Sequence, residues 1–166
     1  SVLQHAGISR TALWTPMIES CGIAEARRIW NDNDMVAESL CVACLFEGEV
    51  ALRNRLDLAD MFGARTLVLI TGGFEDLAAT GDSGDIEHAR SLLIDRLSAA
   101  AELAADHRVR LAFEPLHPMV CGFRSVVSSL GEALDILDQL DDGHDIGLAI
   151  DAYALWWEHD LAAKLM

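Results

Sequence analysis

The chain is expected to be an α/β protein built on a parallel sheet, and three observations carry that expectation. Apolar runs of strand character alternate with amphipathic runs of helical character, at intervals of about 30–45 residues. The run Arg65-Thr66-Leu67-Val68-Leu69-Ile70-Thr71 is unbroken in its apolar middle, which suits a strand buried on both faces. No Gly-x-Gly-x-x-Gly or phosphate-binding loop follows any strand candidate, so a nucleotide-binding open sheet has no positive support.

Taken in order, residues 1–10 read as the tail of a helix and residues 11–14 as a short strand. Ile23, Ala26, Arg27 and Trp30 recur at helical spacing, which predicts a helix over residues 18–30. Residues 35–45 are rich in Val and Leu and read as a strand. Leu52, Leu56, Ala59 and Phe62 then form one stripe of a helix over Glu49–Phe62. The strand at 65–71 is closed by Gly72-Gly73, and residues 75–84 read as a polar loop. A long helix is expected over 85–107, carrying Leu92, Leu93, Leu97, Ala100 and Leu103, followed by a strand over 109–114. Residues 115–127 form a loop long for a βα connection, so they read as functional. Ser129-Leu130-Gly131-Glu132 is a capping box, in which each polar side chain satisfies an orphan amide. Its helix turns Ala133, Leu134, Leu137 and Leu140 inward. Residues 141–144 turn the chain, 145–151 form the last strand, and a helix begins near Asp160.

Composition narrows the classes of function. With 166 residues, 52% of them apolar, the chain suits one core and one domain, residues 1–166. A net charge of −15 repels phosphate backbones, so no nucleic-acid partner is expected. No apolar run is long enough to cross a membrane. Ser1-Val2-Leu3-Gln4-His5 lacks the basic and apolar regions of a signal peptide, and the missing initiator Met suggests trimming or a fragment. Four cysteines are present, and Cys41 and Cys44 form a Cys-x-x-Cys at the end of an apolar run. A zinc site of this type needs a second pair, which is lacking, so reduced and mostly buried thiols in a cytoplasmic protein are expected.

The chemistry is expected where two strands end in a carboxylate. Leu111-Ala112-Phe113 runs into Glu114, and Leu148-Ala149-Ile150 into Asp151, 37 residues later, the length of one βα unit. Both side chains then lie at the carboxyl ends of neighbouring parallel strands, where barrel enzymes keep their active sites. Two converging carboxylates repel unless a proton or cation lies between them, and hard oxygens suit Mn²⁺, Mg²⁺ or a similar ion. Helix capping, or pairing with Arg108, Arg110 or Arg124, accounts for the same carboxylates equally well.

The segments Glu114-Pro115-Leu116-His117-Pro118 and Gly147-Leu148-Ala149-Ile150-Asp151-Ala152-Tyr153-Ala154-Leu155-Trp156-Trp157 resemble the sugar phosphate isomerase/epimerase family of xylose-isomerase-like barrels. Weaker likeness extends to residues 11–14, to Ser39-Leu40-Cys41 and to Gly72-Gly73. The resemblance implies a (β/α)₈ TIM barrel of which about five of eight strands are present, the first and last strands lying outside the chain. It implies a divalent metal held by Glu114 and Asp151, with a His and a Glu from later strands completing the set. It further implies Glu114 and His117 as catalytic groups, and Arg124, Tyr153, Trp156 and Trp157 as substrate contacts. Ala154 stands where that family commonly has His, and Val42-Ala43-Cys44 where it tends to have Arg and glycines.

The expected activity is a metal-dependent isomerisation or epimerisation of a sugar, sugar phosphate or keto-polyol, by proton transfer through an enediolate. A metal-dependent phosphodiesterase or apurinic-site endonuclease is the alternative within the same superfamily. The acidic charge and the absence of His at strand ends weigh against it. A non-catalytic or assembly-dependent barrel piece is the alternative of a different class, because unpaired sheet edges favour recruitment of another copy and hence a homo-oligomer.

Overall fold

Five strands form one sheet: β1 Arg10–Trp14, β2 Val36–Cys44, β3 Thr66–Ile70, β4 Arg110–Phe113 and β5 Ile146–Leu148. Every pairing is parallel, and the spatial order is the chain order, β1-β2-β3-β4-β5. A doubly wound sheet reverses its order at a switch point. Here the order never reverses, so right-handed crossovers carry the helices to the same side and the sheet is TIM-barrel-like. The structure, a computed structural model, describes residues 2–141 and 143–166. Ser1 of the expected helix tail and Asp142 of the expected turn lie outside the described residues.

Ten helices accompany the strands among the described residues: α1 Val2–His5, α2 Thr15–Cys21, α3 Ile23–Asp32, α4 Glu49–Phe62, α5 Phe74–Ala79, α6 Ile86–Ser91, α7 Leu93–Asp106, α8 Leu130–Leu137, α9 Ala152–Leu155 and α10 Leu161–Lys164. The core lies between one face of the sheet and the helices. Leu13, Leu40, Leu67, Leu69, Leu111 and Phe113 are buried there with Leu52 and Leu56 of α4 and Leu93, Leu97 and Ala100 of α7. The opposite, concave face carries a row in register, Trp14–Cys41–Val68–Ala112–Gly147, none of it fully buried. No helix of the described residues is long and apolar enough to cross a membrane.

Several elements depart from the sequence expectation. The helix read over 18–30 starts earlier and breaks at Gly22, whose φ of 86° few other residues adopt. The polar loop read at 75–84 begins as α5: buried Leu77 anchors it, and the Asp76 carboxylate caps the Gly73 amide at 2.8 Å. The long helix read over 85–107 is divided at Leu92 into α6 and α7. The last strand is shorter than expected and stops at Leu148, so Asp151 lies in the loop beyond it. Ser129 does cap α8 by accepting from the Glu132 amide at 3.1 Å. The Glu132 carboxylate, however, reaches the Ser128 amide rather than that of Ser129, and also meets Arg90.

The register of β2 shifts between Cys41 and Ala43, which leaves Val42 outside the ladder against β3. Buried Thr15, at the start of α2, satisfies the Val42 amide: its Oγ1 accepts from that N–H at 3.1 Å and donates to the Cys41 carbonyl. The bulge thus fixes both how β2 ends and how α2 leaves β1.

Candidate active site at the carboxyl ends of the strands

Glu114 directly follows β4, and its amide still bonds the Leu69 carbonyl of β3 at 2.9 Å. Asp151 follows β5 by three residues, after Ala149 has bonded the Phe113 carbonyl at 2.9 Å. The two carboxylates therefore leave adjacent strands at the same end of the sheet. Burial first, and then the Asp151 charge, push the Glu114 carboxyl above the ordinary carboxylate range, while Arg124 pulls it back. Asp151 also does what helix geometry asks of it. One of its oxygens caps α9 by accepting from the Tyr153 amide at 2.8 Å, leaving the other free of that bond.

Cys41, on the concave face of β2, shares this environment. Its thiol is pushed up by burial and then by the charges of Glu114 and Asp151, with Arg124 again opposing. Arg124 is thus the cation whose field reaches both groups, and among the described residues it has no carboxylate ion-pair partner. It rides on the loop after β4, which is anchored from below. Buried Thr71 accepts from the Val126 amide at 2.8 Å and contacts the Ser125 hydroxyl at 3.2 Å, while Ser125 donates to the Val127 carbonyl at 2.7 Å.

His117 lies among the two tryptophans. Its ring is 6.4 Å from that of Trp156 in a stacked arrangement, and 6.3 Å from Trp157 edge-on. Its Nδ1 accepts from the Met119 amide at 3.1 Å, so the neutral ring carries its proton on Nε2 as a donor. Trp157 is half-buried and donates to the Ala154 carbonyl, whereas Trp156 and Tyr153 are 71% and 83% exposed. Ala154 packs with Leu130 and Leu155 in a small second core, so its methyl is a packing group.

A cleft of about 390 Å³ lies beside this centre, at the ends of β1 to β4. Thr15, Cys44, Glu47, Glu75, Asp76 and Arg124 are among its lining residues. Cys44, Glu47 and Asp76 each bring one ligand atom within 4.8 Å of the others, a second donor set that could hold a cation. Burial and the Asp76 charge push the Cys44 thiol up to about 12, which keeps it protonated. In the same cleft Arg55 gives one nitrogen to Glu19 at 2.5 Å. Sequence reasoning missed this cleft because its acids come from a short 3₁₀ turn and from α5, neither of which has a periodic signature. The glycine pair after β3 was the available signal, since it marks close approach of the loops there. The thiols are free, as expected, but Cys21 is exposed and Cys41, Cys44 and Cys121 are only partly buried.

Residues 50–166 match the family model described as a xylose isomerase-like TIM barrel. Among solved structures, the chain is 34% identical to protein SMc04130 of Sinorhizobium meliloti 1021, with a TM-score of 0.80 over 99% of this chain and 60% of that one. It resembles 3-keto-D-glucoside 4-epimerase YcjR of E. coli at 15% identity, with a TM-score of 0.73 over 99% of this chain and 66% of that one. It resembles an IolI protein with a bound zinc atom at 13% identity, with a TM-score of 0.67 over 92% and 56%. The last two likenesses are of fold alone. The chain spans about 60% of the length of the solved structures it matches. No match to a curated protein is found.

Proposed function

This chain belongs to the xylose isomerase-like TIM barrel family, and on that premise we propose that it supplies one side of the active site of a metal-dependent isomerase or epimerase. The substrate is a sugar, sugar phosphate or keto-polyol. The supporting observation is the convergence of Glu114 and Asp151 at the ends of adjacent parallel strands. Such a pair fits a divalent cation. Both groups are hard oxygen donors, and a cation would offset both the burial that chiefly raises the Glu114 carboxyl and the Asp151 charge that adds to it. Glu114 and the uncapped oxygen of Asp151 would hold it, and the remaining ligands of such a site come from strands beyond the five described. The epimerase named among the structural neighbours is consistent with this reading.

When bound, the cation polarises neighbouring carbonyl and hydroxyl oxygens of the substrate and acidifies the C–H beside them. The chain's own residues do the rest. An oxygen of the ionised Glu114 carboxylate that the cation does not engage would accept that proton. His117 donates from Nε2 to a substrate oxygen. Trp156 offers an exposed apolar face to the sugar ring, with Trp157 behind the imidazole. Arg124 and Tyr153 contact substrate oxygens at the rim. The domain is residues 1–166, one piece of a barrel whose first and last strands lie outside it.

A thermal melt with and without Mn²⁺ tests the site. A ligand that binds only the native state raises the midpoint. Mn²⁺ is expected to raise it, and Glu114→Gln or Asp151→Asn to abolish the rise. A cooperative melt unmoved by Mn²⁺ sinks the proposal.

A further inference from the structure

The loop after β4 and the segment after β5 each carry part of the candidate site, and a buried acid outside that site joins them. The loop holds Glu114, His117 and Arg124 and leads into α8, while the later segment holds Asp151, Trp156 and Trp157. This segment has little structure of its own to fix it. β5 is three residues long, and α9 and α10 are four each, too short to persist unaided. The Asp151 cap on α9 and the Trp157 bond to the Ala154 carbonyl are both local. Leu130 of α8 packs with Ala154 and Leu155 in the small second core, but apolar contact has no direction.

Glu158 supplies the direction. It follows Trp157, and its side chain is only 3% exposed. A carboxylate buried this far needs both oxygens engaged. Oε1 accepts from the Leu130 amide, in the first turn of α8, at 2.5 Å, and Oε2 accepts from Lys164 Nζ of α10 at 2.7 Å. Among the described residues, no other hydrogen bond carries residues 151–166 across to another part of the chain. The Leu130 amide is one of the orphan donors of a helix start, where the helix dipole also favours negative charge. Lys164 lies over the same turn, since a Cβ at Gly131 would fall 3.5 Å from its Nζ. α8 is thus gripped at Leu130 by both its amide and its side chain. Nearer the mouth the two segments meet again, where the His117 ring lies against Trp156 and Trp157.

We propose that Glu158 is a positioning residue of the candidate site. Its carboxylate, held between the Leu130 amide and the Lys164 ammonium, sets where Asp151 and the two tryptophans stand relative to Glu114 and His117. It touches neither substrate nor metal. Its effect on a metal rests on the reading of Glu114 and Asp151 as ligands, whereas its effect on the tryptophans does not.

The test measures Mn²⁺ affinity by titration and, in ¹⁵N-labelled protein, the indole N–H signals of the tryptophans. Glu158→Ala is expected to weaken Mn²⁺ binding by about tenfold, as loss of a group that orients a ligand does. It should shift the signals of Trp156 and Trp157 and leave that of Trp30 in place. Leu56→Ala, a core truncation on α4, should lower the thermal midpoint and leave both readouts unchanged. Lys164→Met strips a buried charge of its partner and should also weaken Mn²⁺. The double variant Glu158→Gln with Lys164→Met keeps the acceptor and removes the charge, so it should recover most of that loss. This pair of variants carries the test if Glu158→Ala does not fold. Unchanged Mn²⁺ affinity and indole signals in the folded Glu158→Ala or Lys164→Met protein overturn the positioning role. So does an equal loss in Leu56→Ala, or no recovery in the double variant. If the parent protein binds no Mn²⁺, the isomerase reading falls, and the indole signals alone decide whether Glu158 positions the segment.

Discussion

Gly73 lies directly against the Phe123 backbone: a Cβ at Gly73 would fall 2.1 Å from the Phe123 carbonyl oxygen and 2.7 Å from that of Gly122. The Phe74 amide bonds the Gly122 carbonyl at 2.9 Å in the same contact. The loop that carries Arg124 is therefore seated on the turn after β3 with no room for a methyl group. Gly73→Ala is expected to lift this loop and to destabilise the fold by about 1–3 kcal/mol, the usual range for overpacking. It should also weaken any Mn²⁺ response, although it removes no ligand. Denaturant midpoints with and without Mn²⁺ check both effects.

Removing the Glu114 charge should stabilise the metal-free protein. A carboxyl whose native pKa is raised favours the protonated native state, so its contribution is present at low pH and is lost as pH rises through the native value. Glu114→Gln is thus expected to have the higher urea midpoint at pH 7 without metal. The difference should vanish below the ordinary carboxylate range. A variant less stable than the parent at pH 7 contradicts the burial and repulsion assigned to this group.

Thr71→Val replaces a buried hydroxyl with a methyl and leaves the buried Val126 amide without its partner. The cost should be about 1–3 kcal/mol. Thr71→Ser, which keeps the acceptor, should recover most of it. Amide hydrogen exchange in residues 117–125 is expected to speed up in the Val variant, because the loop loses its anchor on β3.

The thiols should differ in reactivity. Cys21 is exposed, whereas the Cys44 thiol is pushed up to about 12 by burial and the Asp76 charge. Alkylation at pH 8, followed by mass spectrometry, should label Cys21 first and Cys44 last. Early labelling of Cys44 would show that its surroundings favour the thiolate.

The alternation of strands and helices was legible because burial imposes it on the sequence. Strands packed on both faces must be continuous apolar runs, and Leu67–Val68–Leu69 can hardly be read otherwise. Glu114 and Asp151 were legible for a related reason, as each stands where an apolar run stops. The breaks at Gly22 and Leu92 were not, since amphipathic spacing survives a small change of helix axis. The hydrogen bond of the Val42 amide was invisible too, because its partner is a threonine 27 residues away. The acids of the cleft fall in the same class. Glu47, Glu75 and Asp76 read as ordinary solvated charges, and only the folded path of the chain gathers them around one space.

The consecutive strand order has a kinetic side. Arg10 pairs with Val36, and the widest ladder joins Thr66 to Arg110, so each strand finds its partner within about 44 residues. Closures of this length cost less entropy than a shuffled strand order would demand, although parallel pairing is slower to form than local contacts. β1 and β2 can also register before β5 has left the ribosome, so the sheet can grow from its amino-terminal edge during synthesis. Among the described groups of the mouth, Trp14, Thr15 and Cys41 are then set in place before the carboxylates proposed to hold a metal, which arrive against a wall already built.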